Sequence, residues 1–160
     1  MIRMSFILLL ISGCSLLFGD KDRPRTAKNT YYNISFHSSD WLEKKDQRSD
    51  YIFINSKDGR ILLSNSFCDE FQELPLDQLA QKSFRTIKDF QTNSSDYTTY
   101  HHREAYRLQG SGLVDGVKVN LYLLNTRRDN CYFDFLAISP LETSSSKEIF
   151  EAFLDSVEFK

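Results

Sequence analysis

Three cysteines (Cys14, Cys68, Cys131), three histidines (His37, His101, His102) and one carboxylate set in an apolar run, Asp134, are the side chains with chemistry to offer. His101 and His102 are adjacent, and neighbouring side chains on a strand point to opposite faces, so the pair does not converge on one metal ion. His37 is far away in sequence, and no metal site is expected. Asp134 lies in CYFDFLAIS, residues 131–139. A carboxylate there can have a raised pKa and serve as an acid or base. The plainer reading is an Asp that faces solvent at a strand edge or pairs with an arginine such as Arg107. A Cys–His nucleophile pair would need Cys68 or Cys131 as a thiolate, and pairing is the simpler fate outside the cytoplasm. Gly110-Ser111-Gly112 lacks the spacing of a serine-hydrolase elbow and reads as a strand break. The glycines are too few and scattered for a phosphate loop. No catalytic residue and no cofactor follow from these groups.

The N-terminus speaks more sharply. Arg3 gives a positive start, residues 6–11 are unbroken apolar, and Ser12 and Gly13 are small, which is the layout of a secretory signal. The apolar run is far short of the ~20 residues of a spanning helix. Ile11-Ser12-Gly13-Cys14 resembles a bacterial lipobox. The resemblance implies a lipid on the Cys14 thiol, cleavage before it and acylation of the new amino terminus, with several acyl chains making a stable anchor. The alternative is an ordinary signal peptide with a cysteine nearby. Ser15 rather than Asp after the cysteine is similar to the outer-membrane sorting default. The expected location is therefore the bacterial cell envelope, anchored by lipid in the outer membrane and facing the periplasm. The division is a signal peptide over 1–13, a lipidated cysteine and tether over 14–30, and one α+β domain over 31–160.

A net charge of −2 argues against a general nucleic-acid binder. Low Gly and Pro beside 13 Phe and 8 Tyr argue for a packed core. An isolated pair such as Cys68 and Cys131 outside the cytoplasm is a natural disulfide, the alternative being two buried thiols.

These residues must be positioned by a mixed set of elements. Residues 32–36 alternate as a half-buried strand, and Trp41 plugs one end of the core. Asp58-Gly59 and Asp115-Gly116 signal hairpins, and residues 127–130 make a third turn. Apolar residues at spacings of three and four predict a helix over about 75–90, ended by the polar loop 91–96. Residues 97–103 and 104–110 read as one long bent strand. Residues 131–139 are apolar on both faces except at Asp134, which marks a central or helix-covered strand. Residues 145–148 fit a capping box ahead of an apolar helical stripe, and 157–160 form a last short strand. Five tyrosines (Tyr97, Tyr100, Tyr106, Tyr122, Tyr132) either line a binding face or pack within strands.

This order of elements resembles the PsbP-like fold, an antiparallel sheet flanked by two main helices in an α/β/α sandwich. Ile34-Ser-Phe36 with Trp41, Asp115-Gly116 before a long strand, Cys131-Tyr-Phe133, and Phe150 with Phe153-Leu154 and Ser156-Val157 carry the likeness. A cystatin-like or NTF2-like helix on a curved sheet is the competing arrangement. The resemblance implies binding rather than catalysis, since members mostly serve as extrinsic subunits or adaptors. The expectation is a non-enzymatic domain that docks on another envelope protein. The alternatives are a binder of a small apolar or lipid-like ligand, and a hydrolase with an unread site.

Overall fold

The sheet is built outward from its most apolar strand. In the computed structural model, which describes residues 28, 30–46, 49–68, 74–141, 143 and 146–160, β8 (Cys131–Pro140) is central. It lies between β4 (Ile61–Cys68) and β7 (Val117–Arg128). The flanking strands are β3 (Tyr51–Asn55) and β2 (Trp41–Lys44) on one side, and β6 (Arg103–Val114) and β5 (Lys88–Tyr100) on the other. Every pairing is antiparallel, in the order β2-β3-β4-β8-β7-β6-β5. A separate two-stranded ribbon pairs β1 (Tyr32–Ile34) with β9 (Val157–Phe159). Cys14, the leader and most of the tether lie outside the described residues, as does Ser145 of the expected capping box.

Period-two alternation splits the core in two. Phe133, Phe135 and Ala137 of β8 meet Phe150, Phe153 and Leu154 of the C-terminal helix, α2 (Ser146–Asp155), together with the β1–β9 ribbon. Tyr132, Leu136 and Ile138 point the other way, to Leu76, Leu79 and Ala80 of α1 (Leu76–Ser83) and to Phe84. Each fully buried Phe or Leu contributes about 1.5–3 kcal/mol of transfer free energy. Both faces of β8 are thus covered, which accounts for its lack of a polar side.

Three expectations are corrected. The helix predicted over 75–90 is eight residues long, and its apolar spacing outlives it. Ile87 and Phe90 continue the pattern from a turn and a strand. They lie over Gly112 and Gly110, where an added Cβ would stand 2.4 Å from Ile87 Cγ2 and 2.4 Å from the Phe90 ring. The glycines leave room for these side chains inside an unbroken β6; they do not break it. Second, the polar residues 91–96 are no loop but the middle of β5, a 13-residue edge strand. An edge strand exposed on both faces needs no apolar alternation, so the pattern hid it. Third, 97–110 is a hairpin and not one bent strand. His101 (φ 46°) and His102 (φ 62°) form its two-residue turn, the left-handed pair that a tight hairpin demands. The turns at Gly59 (φ 75°) and at Asp115 (φ 49°) with Gly116 (φ 80°) fall where the sequence placed them. Trp41 is buried, with the Arg60 guanidinium 5.6 Å from its ring.

Candidate functional site

Asp134 is fully buried beneath α1. Strand register sets its neighbours: Asn65 of β4 on one side and Asn125 of β7 on the other. Asn125 Nδ2 donates to the Leu76 carbonyl and to the Tyr132 hydroxyl, each at 3.0 Å. Ser83, in the last turn of α1, donates to the Leu79 carbonyl at 3.1 Å. Neither carboxyl oxygen of Asp134 has a hydrogen bond of ordinary geometry. Burial pushes its pKa up to about 7, against the opposing pull of the Tyr132 and Ser83 hydroxyls. Burial also raises Tyr132 well above the usual phenol range, helped by the charge of Asp134. The reading of Asp134 as solvent-facing or paired to Arg107 is corrected. Arg107 makes a two-pronged bond to Glu151 of α2, on the opposite face. Asp134 can take up and release a proton near neutral pH, but α1 covers it, so the titration acts on stability.

A second buried polar group lies one residue away on β4 and across the sheet. Tyr32 donates to Asp50 Oδ2 at 2.9 Å and lies 2.9 Å from Ser64 Oγ, and Ser66 donates to the same Asp50 oxygen. Burial and the Asp50 charge raise the Tyr32 phenol. The signal available in the sequence is the polar run Ser64-Asn65-Ser66 inside an otherwise apolar strand.

Cys68 and Cys131 are bonded as a directly opposed pair closing the ends of β4 and β8. Beside them, at the same end of the sheet, is an open cleft of about 330 Å³. The hairpin turn supplies His101, His102 and Arg103; β7 supplies Thr126, Arg127 and Arg128; Tyr100 and Phe159 form aromatic walls. Arg128 stacks its guanidinium 5.4 Å from the Phe159 ring centre. Thr126 donates to the Glu104 carbonyl at 2.7 Å. The cleft therefore offers cationic donors and two hydroxyls, of Thr126 and Tyr100, both already engaged, an arrangement that suits an anion rather than activating a nucleophile. The two histidines share this cleft, and among the described residues no group of three or more His, Cys, Asp or Glu could hold a metal ion. A second cleft of about 530 Å³ lies at the other end, where Phe36, Trp41 and Phe53 meet His37, Ser38 and Glu43. Of the five tyrosines, Tyr106 and Tyr132 are buried, Tyr100 bonds the Leu154 carbonyl, and Tyr97 is exposed on β5, donating to Asp77 of α1 at 2.9 Å. No helix among the described residues is long and apolar enough to cross a membrane.

No protein-family model and no curated protein sequence matches the chain. Solved structures do. The crystal structure of LpqN, involved in cell envelope biogenesis of Mycobacterium tuberculosis, superposes with a TM-score of 0.62 at 11% identity, over 81% of this chain and 83% of that one. The solution structure of the cyanobacterial PsbP protein of Synechocystis gives 0.58 at 10% identity, over 81% and 86%. A protein of Bacteroides thetaiotaomicron gives 0.58 at 16% identity, over 81% of this chain but 45% of its own length. At these identities the likeness is one of fold alone, which this chain shares with the cyanobacterial PsbP protein and LpqN.

Proposed function

We propose that the chain is a lipid-anchored cell-envelope protein, held at the outer membrane through Cys14, whose domain is a non-catalytic module docking on another envelope protein. The observation that carries the docking is β5. It is the outer strand of the seven-stranded sheet, paired on one side by β6, and nearly all of its 13 residues are exposed. Register shifts interrupt it between Lys88 and Gln91 and between Thr92 and Ser94, whereas Ser94–Tyr100 pairs regularly with Gln109–Arg103. Bulges protect an edge against unwanted pairing. The regular half, rich in Ser, Thr and Tyr, presents an open row of backbone donors and acceptors to an extended segment of a partner. That LpqN is involved in cell envelope biogenesis agrees with an envelope setting for this fold.

Crosslinking of the full chain in its native envelope, followed by pull-down and mass spectrometry, is expected to give one dominant partner. Repeated failure to find a stoichiometric partner would overturn the docking role. Cys14→Ser is expected to leave uncleaved precursor without lipid; maturation and detergent partitioning of that variant would refute the anchor. The cleft walled by Phe36, Trp41 and Phe53 favours a second reading, a binder of a small apolar ligand. Native mass spectrometry of protein from its host would then show added mass.

A further inference from the structure

The proposed function leaves the cleft at the His101–His102 turn without a role. We infer that this cleft is a site for a phosphate group carried by a small ligand or an anionic lipid headgroup.

The turn and the end of β7 bring Arg103 and Arg128 to one concavity with His101 and His102, while Arg127, also at its edge, turns its guanidinium to the Leu74 carbonyl. A guanidinium stays charged at any physiological pH, so Arg103 and Arg128 repel one another where no counter-charge lies between them. Asp129 stands 3.6 Å from Arg128 Nε, and no carboxylate is among the lining residues. The neighbouring acids Glu104 and Glu158 do not line it. Arg128, stacked against Phe159 with its Nε toward Asp129, has its terminal N–H groups in plane for a second partner, the geometry that recognises phosphate oxygens in a fork. Arg103 is exposed and has no ion pair among the described residues. His101 packs edge-on against both Tyr100 and Phe159, at 4.5 and 5.3 Å, which fixes its ring at the wall. Both histidines hold positive φ, a conformation unfavourable to residues with a Cβ, in a turn where Asn-Gly would be the easier choice. Tyr100 is anchored on the Leu154 carbonyl at 2.6 Å, and the disulfide closes the adjacent strand ends. The cations are therefore presented on a rigid frame, and little order need be gained on binding.

The test uses the full chain in nanodiscs and reads the histidine ring protons by NMR, with His37, in the other cleft, as internal control. Inorganic phosphate is titrated into phosphatidylcholine discs. In a second arm, discs with and without phosphatidylglycerol are compared. A saturable shift of His101 and His102 but not His37, with a Kd of about 1 mM or tighter, would support the site and point to a soluble phosphate compound. A shift seen only with phosphatidylglycerol would support the site and point to a headgroup. In either case Arg103→Gln, on an exposed side chain, and Arg128→Gln should each weaken the effect by roughly tenfold. Absence of any shift in both arms would overturn the inference. So would equal shifts with and without phosphatidylglycerol and no phosphate response, or shifts that the arginine variants leave unchanged. None of these results depends on whether a protein docks on β5.

Discussion

The cluster under α1 and the cleft at the His101–His102 turn both gather polar and titratable side chains, and they differ in access. Asp134, Asn125 and Tyr132 are buried among apolar neighbours, and burial displaces the proton affinities of Asp134 and Tyr132. His101, His102 and Arg103 are exposed, at the end of the sheet, among cations. A perturbed pKa is a common mark of a functional site, but here it marks the place no ligand reaches. Chemistry with the outside falls to the groups that water already touches. The buried cluster adjusts stability, while the proposed recognition falls to the rim.

The largest effects are expected from the frame that both regions share. Removing the disulfide by Cys68→Ser with Cys131→Ser opens a loop spanning 63 residues, a loss of about 4 kcal/mol in the chain-entropy model, read by urea denaturation. The phosphate response of the cleft should weaken with it, while the pH behaviour of Asp134 persists. Both thiols found free in exported protein would refute the bond.

A comparable effect belongs to Asp134 alone. The folded carboxyl keeps its proton until about pH 7, whereas the unfolded one loses it near pH 4. Between those values the folded state binds more protons, so stability falls as pH rises, by on the order of 4 kcal/mol in all, and levels off above. Asp134→Asn should remove that slope and be the more stable protein at pH 8. An unchanged slope would show that Asp134 is not the group responsible.

Tyr32→Phe, on the other face, takes away the hydroxyl shared by Asp50 and Ser64 and should cost about 1–3 kcal/mol. It should leave the pH 4–7 slope intact, which separates the two buried carboxylates. Glu151→Gln weakens the half-exposed pair with Arg107 and should cost under about 1 kcal/mol, because solvent screens it.

Much of the frame was readable from the chain. The doubly apolar run around Phe133 and Phe135 marked a central strand because both of its faces are covered. Asp-Gly pairs marked turns because the left-handed backbone selects those residues. Leu76 to Phe90 misled because helical spacing was continued by side chains that reach the same core from a turn and a strand. Residues 91–96 misled because an exposed edge strand carries no burial pattern. The cleft itself was hidden: Arg103 and Arg128 are brought together by strand pairing across β6 and β7, a distance that no local spacing records. The His101-His102 pair drew notice for metal chemistry, yet its importance lies in where the turn puts it.

Recognition of a partner along the β5 edge can be read by photo-crosslinking in the native envelope, with the reactive residue placed at Ser94 or Thr99 on β5, and at the exposed Lys57 for comparison. One dominant adduct is expected from both β5 positions and none from Lys57. Adducts from Lys57 alone, or none from β5 in an envelope where the protein is abundant, would contradict it.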